Sequence, residues 1–125
     1  MFKTEKSNEL YERFYCFSRD CASLVKSLRR DSINQVYSHQ LIRSSSSIPA
    51  NYLEAQESLS RKDFLYRLAI CRKESKESVQ WLRLLSDTGN SGSLELERLL
   101  REAHEFVLIF GKSVETARSS SYESK

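Results

Sequence analysis

Apolar residues recur along this chain in four separate blocks, each with the three-and-four spacing that gives a helix one greasy side. In the first block Leu10, Phe14, Phe17, Cys21, Leu24 and Leu28 step by four and three in alternation. That spacing predicts a helix over residues 8–30, with Arg29 and Arg30 at its C-terminal end, where positive charge complements the helix dipole. A second line, Ile33, Val36, Tyr37, Leu41, Ser44, Ile48, Tyr52 and Ala55, predicts a helix over 33–57 with Ser32 as its N-cap. Pro49 falls inside it and would normally end a helix. The stripe keeps its phase across the proline, so one kinked helix is favoured over two short ones. Ser44 to Ser47 precede the proline; they read either as a linker or as small residues that let two backbones approach.

The third block opens with Ser60-Arg61-Lys62-Asp63, a capping-box pattern with Asp in place of Glu. Its seam of Phe64, Leu68, Cys71, Ser75, Ser78, Leu82 and Leu85 predicts a helix over 61–87. The run Asp87 to Ser93 carries two of the three glycines and predicts a turn. Ser93 then caps a fourth helix over 94–118, whose apolar face includes Leu96, Leu99, Leu100, Ala103, Phe106, Val107, Phe110, Val114 and Ala117. Residues 119–125 form a polar tail expected to fray. Four amphipathic helices joined by short connections pack as antiparallel neighbours. The expected fold is therefore all-α: a single-domain, antiparallel up-and-down four-helix bundle with a Pro-kinked second helix.

Composition agrees with that architecture and narrows the chemistry. One proline and three glycines in 125 residues leave too little punctuation for a many-stranded fold. Charged residues make up 30%, which suits thin helices with solvated outer faces. The net charge of +3 permits contact with nucleic acid or anionic lipid without arguing for either. Cys16, Cys21 and Cys71 lack metal-ligand spacing, and are expected to pack in the core of a protein kept in a reducing, cytoplasmic environment. No apolar run approaches the ~20 residues that span a bilayer, and the opening ten residues lack the apolar stretch of a signal peptide. No membrane partner is expected.

Catalytic and metal-binding patterns were sought on the same sequence. A di-iron bundle needs Glu-x-x-His pairs; Val36 and Arg101 stand three residues before His39 and His104. No G-x-S-x-G turn presents a serine nucleophile. Arg43, Asn51, Glu54 and Glu77 could meet near Pro49, where a missing amide and a freed carbonyl invite polar partners. That cluster is read as structural. The expected catalytic, metal and cofactor sites are none, and the chain is expected not to be an enzyme.

Helix 3 carries more than its seam. At ~100° per residue, Arg61, Lys62, Arg72, Lys73, Lys76 and Arg83 fall on one flank, the candidate nucleic-acid-binding surface. Tyr66, Ile70, Trp81 and Leu84 line the opposite flank, with Glu77 among them. A second apolar line bearing the one tryptophan suits a surface covered by another chain, and these four residues are the candidate oligomer interface.

Arg43-Ser-Ser-Ser-Ser-Ile-Pro-Ala-Asn-Tyr-Leu-Glu-Ala-Gln, followed by Ser60-Arg-Lys-Asp-Phe-Leu, resembles the bacterial "four helix bundle protein" family, related to proteins encoded in intervening sequences of 23S ribosomal RNA genes. Arg43, Ser47, Ile48, Ala50, Asn51, Glu54, Ala55, Ser60, Lys62 and Phe64 meet its pattern. The stretch Lys73 to Leu85 is similar to a second family motif, departing from it at Ser75, usually Ala, and Gln80, usually Tyr. The resemblance runs from about Asn8 to Arg118. It implies a ring-like homo-oligomer, typically a pentamer, with no catalytic residues. Relatives in diversity-generating retroelements imply an accessory role beside a reverse transcriptase and contact with RNA or DNA. The alternative is a protein–protein interaction adaptor that ignores nucleic acid.

Overall fold

The computed structural model describes residues 2–123, with side chains through residue 119. Four helices follow one another: α1 (Glu5–Ser27), α2 (Ser32–Gln56), α3 (Arg61–Leu85) and α4 (Leu94–Glu123). Contacts between their ends establish the up-and-down order. Gln56 at the end of α2 donates to the Ser7 hydroxyl at the start of α1, at 2.9 Å. Arg98 at the start of α4 reaches Asp20, toward the end of α1, at 2.9 Å.

Each helix starts where a side chain satisfies a first-turn amide, as helix ends require. Thr4 and Ser7 form a reciprocal capping box on α1. Ser60 accepts from the Asp63 amide at 3.1 Å, and Ser93 from that of Leu96 at 3.2 Å. The cap of α2 is Asp31, whose carboxylate accepts from the Asn34 amide at 2.8 Å; Ser32, expected in that role, is the first helical residue. The chain leaves α1 earlier than its sequence suggests, at Ser27, because Leu28 is extended (φ −77°, ψ 150°). Lys26, rather than Arg29 or Arg30, is the basic residue of its last turn. At the other end of the chain α4 continues beyond residue 118 into the expected tail; residues 124 and 125 of that tail lie outside the described residues.

Phe14 is the centre of the core. Its ring lies 4.9 Å from Tyr52, 4.8 Å from Phe106 and 4.7 Å from Phe110, so one side chain joins α1, α2 and α4. The α2–α3 seam differs in kind: Ser44, Ser75 and Ser78 are all buried there. The Ser44 and Ser78 hydroxyls meet across it at 2.9 Å, and Ser75 donates to the Cys71 carbonyl at 2.8 Å. The serine run is therefore a packing surface and not a linker.

Helix α2 passes through Pro49 without a break. The preceding hydroxyls bond back to their own helix, Ser46 and Ser47 to the Arg43 carbonyl at 3.2 and 2.8 Å. Asn51 Nδ2 donates to the Ser47 carbonyl at 2.8 Å, one turn across the proline. Such back-bonding satisfies these hydroxyls and the Asn51 amide within the helix on either side of the proline. Ile48 just before it and Tyr52 and Ala55 beyond it are buried in the expected phase.

The start of α2 departs from its predicted face. Ile33 and Val36 are exposed, and Asn34 and Ser38 are buried in their place. Asn34 is drawn inward by the turns: its Nδ2 donates to the Arg29 carbonyl at 2.8 Å, and its Oδ1 accepts from Asn90 at 2.9 Å. A buried carbonyl without a donor costs more than two half-exposed aliphatic side chains. The α3–α4 turn is held the same way, with Thr88 donating to Leu84 O at 2.6 Å and Asn90 to Leu85 O at 2.8 Å. Gly89 there adopts φ +117°, a conformation that closes a helix end at little cost only for glycine.

Candidate nucleic-acid interface

Charge on the surface collects in a groove of about 680 Å³ between α3 and α4, with Arg43 of α2 at one edge. Arg72, Lys73 and Lys76 stand on its α3 wall, Arg118 on its α4 wall, and Val114 forms part of the floor. A second depression of about 740 Å³ across α4 shares Arg72, Val114 and Arg118. Arg72 therefore lies between the two, over Gly111. A Cβ placed on that glycine would sit 3.6 Å from Arg72 Nε, an ordinary contact. Gly111→Ala should thus keep the groove and relieve the entropic cost of glycine inside a helix, about 0.5–1 kcal/mol. A rise of a few degrees in the thermal midpoint is expected; a fall would show that Arg72 cannot yield.

The groove cations differ in how far they are committed. Arg43 is fully engaged, to Glu74 at 3.1 Å and Glu77 at 2.6 Å. Among the described residues, Arg72, Lys73, Lys76 and Arg118 enter no ion pair. Four positive charges thus face solvent beside a single lining carboxylate, Glu77, which Arg43 already neutralises.

Glu74 is buried behind this pair. Burial raises its pKa above the ordinary 4.5, with the adjacent Glu77 adding to the rise. Burial acts in the same sense on Glu77, but bonds from Glu74 and Arg43 outweigh it and lower that carboxyl. Glu74 is accordingly the member that takes up a proton first. A raised carboxyl pKa favours the folded state when protonated, so this contribution fades as pH rises from about 4.5 through the folded pKa. Glu74→Gln should therefore stabilise the protein near pH 7 relative to the parent, with the difference shrinking toward pH 4. Urea unfolding at both pH values measures it; a difference that grows toward acid would contradict the assignment.

The expected polar cluster of Arg43, Asn51, Glu54 and Glu77 does not assemble as one unit. Arg43 meets Glu77 as anticipated, with Glu74 as the third member. Asn51 instead accepts from Arg67 at 3.0 Å, and Glu54 is exposed. The basic flank also divides. Arg72, Lys73 and Lys76 line the groove, whereas Arg61 lines a pocket at the end of the bundle and Lys62 and Arg83 are exposed outside the groove. Arg118 was missed because a wheel of one helix cannot show what its neighbour contributes. Gly111, an isolated glycine in an apolar helical pattern, was the available signal of a close approach.

On the opposite flank of α3, Tyr66 is 63% exposed, and Ile70, Trp81 and Leu84 are half-buried. The Trp81 ring lies 5.9 Å from Tyr37 of α2, and its indole Nε1 is buried without an acceptor. Ile33, one turn before Tyr37 and 48% exposed, extends the apolar line onto α2. Cys21 and Cys71 are buried thiols whose pKa values burial pushes up to about 12, so neither is a thiolate near neutral pH. Among the described residues, no three His, Cys, Asp or Glu side chains are grouped to hold a metal ion, and no helix is long and apolar enough to cross a membrane.

The model of the 23S rRNA-intervening sequence protein family matches residues 6–112, which takes in α1 but for its first residue, all of α2 and α3 and most of α4. The chain belongs to that family. A crystal structure at 1.70 Å of a protein of unknown function from the S23 ribosomal protein family of Bacteroides thetaiotaomicron VPI-5482 is similar across the bundle. It is 30% identical with a TM-score of 0.79, over 88% of this chain and 98% of that one. No curated protein matches. Membership in the 23S rRNA-intervening sequence family agrees with the four-helix architecture, and no catalytic assignment comes with it.

Proposed function

We propose that this family member is a non-enzymatic, self-assembling bundle that binds nucleic acid through the α3–α4 groove. The observation that carries the reading is the set of four uncommitted cations, Arg72, Lys73, Lys76 and Arg118, converging from two helices. Phosphate contacts are electrostatic and release counterions, so a groove of this kind binds backbone without reading sequence. Its position fits assembly. The apolar line through Tyr66, Ile70, Trp81 and Leu84 runs along the other flank of α3, and Arg72 and Lys76 stand about 100° or more round the helix from it. A ring of such copies, a pentamer in our reading, multiplies the phosphate contacts within one particle. The role that follows is that of an accessory to an enzyme working on RNA or DNA, such as a reverse transcriptase.

Two measurements on the intact protein test this. Sedimentation should give a particle several times the mass of one chain. Filter binding of a 30-nucleotide RNA and its DNA counterpart should show an affinity that falls steeply between 50 and 200 mM salt. A monomer would remove the assembly. An absence of binding at 50 mM salt would remove the nucleic-acid role and leave the adaptor alternative.

A further inference from the structure

The end of the bundle where α1 and α3 begin holds a separate cavity, of about 740 Å³, whose chemistry the groove does not explain. Leu10, Phe64 and Ile109 supply an apolar lining from three helices. Phe2 stacks on Phe64 with ring centres 4.2 Å apart and 11° between planes, fixing the start of the chain against the start of α3. Lys6, Arg61 and Lys112 stand on the lining as well, one from each of α1, α3 and α4. Among the described residues, no Asp or Glu lines the cavity. Among the described residues none of the three cations enters an ion pair.

We infer that this cavity is a binding site for a small amphipathic carboxylate, an organic acid whose apolar body is an acyl chain or an aryl group. Each part of the site selects against the other ligand classes. A metal ion or an organic cation meets three positive charges and no carboxylate. A neutral apolar molecule fills the lining but gains nothing from Lys6, Arg61 or Lys112. A bare phosphate backbone engages the cations and leaves Leu10, Phe64 and Ile109 unused. A carboxylate head accepts charge-assisted bonds, bidentate where Arg61 is the donor, while its tail takes the place of water on the apolar side. The first turns of α1 and α3 both border the cavity, and their dipoles add to the preference for an anion. The volume lies within the range of small-molecule sites, about 300–1,000 Å³. The inference is independent of nucleic-acid binding, because Arg72, Lys73, Lys76 and Arg118 take no part in it.

Decanoate, kept below micelle-forming concentrations, is the probe. Titration of the full-length protein by calorimetry and backbone amide NMR should show saturable binding of one decanoate per chain. The largest shifts are expected at Phe64, Ile109 and Ser113. Decyltrimethylammonium, of matched chain length and opposite charge, should bind at least tenfold more weakly to the same unaltered protein. The double variant Arg61→Gln, Lys112→Gln should lose at least tenfold for decanoate while its circular dichroism stays unchanged. Non-saturable uptake, equal affinity for the cationic analogue, or shifts confined to other surfaces would overturn the inference, as would full affinity in the double variant.

Discussion

Phe14→Ala is expected to remove a large share of the stability of this bundle, about 3–5 kcal/mol out of the 5–15 kcal/mol typical of a native domain. Phe14 is fully buried, and its ring touches Tyr52, Phe106 and Phe110 at centroid distances of 4.9, 4.8 and 4.7 Å. Truncation loses the transfer energy of the ring and leaves a hole bordered by three other aromatic rings, which cannot close around a methyl group. The aromatic pairs add roughly 0.5–1.5 kcal/mol each beyond area alone. Two of the three lie edge-to-face, at 80° and 85°. Urea denaturation should show a much lower midpoint with an unchanged slope. Tyr15→Ala is the control: the next residue along α1 is 50% exposed and should cost no more than about 1 kcal/mol. Equal losses at the two positions would mean that α1 presents a different face to the core.

The second large effect concerns binding. Reversing Arg72, Lys76 and Arg118 together to Glu changes the groove by six charges while touching only exposed side chains, so the fold should persist. Each phosphate contact contributes about 0.7–0.9 to the logarithmic salt slope. Losing three per chain should flatten the slope by roughly 2–3 for each bound protomer and weaken binding at 0.1 M salt by more than about 100-fold. Reversing Lys62 and Arg83, a change of four charges, is the comparison. Both belong to the same sequence-level basic flank but lie outside the groove, and the loss there should be several-fold at most. A similar loss from both sets would assign binding to net charge rather than to the groove. Unaltered binding in the triple variant would eliminate the site.

How legible these features were depends on whether one helix suffices to specify them. The seams of α1 and α3 could be read directly, because Phe14, Phe17 and Cys21, and Leu68, Cys71, Ser75 and Leu82, are buried at consecutive turns. Even Ser75 and Ser78 revealed themselves, since only their phase places two small polar residues inside. Periodicity failed at the start of α2, where Asn34 is inward for the sake of carbonyls and amides in two separate turns. Hydropathy ranks that residue as external; the demand that overrules it comes from the turn just before the helix and from Asn90, 56 residues away. The groove was half visible for the same reason. Arg72, Lys73 and Lys76 could be placed on one flank of α3, but Arg118 joins them only through the packing of α4. Glu54 shows the converse: a motif position expected to join the polar cluster stands in solvent, and the buried carboxylate is Glu74.

The lone tryptophan has a practical consequence. Its indole nitrogen is shielded from water and has no acceptor, and the ring rests against Tyr37 at the edge of the proposed contact between copies. Ultraviolet emission excited at wavelengths that tyrosine does not absorb therefore originates at one known spot on that flank. If copies separate there on dilution, the colour of that emission should move to longer wavelength, reporting dissociation with no dye attached.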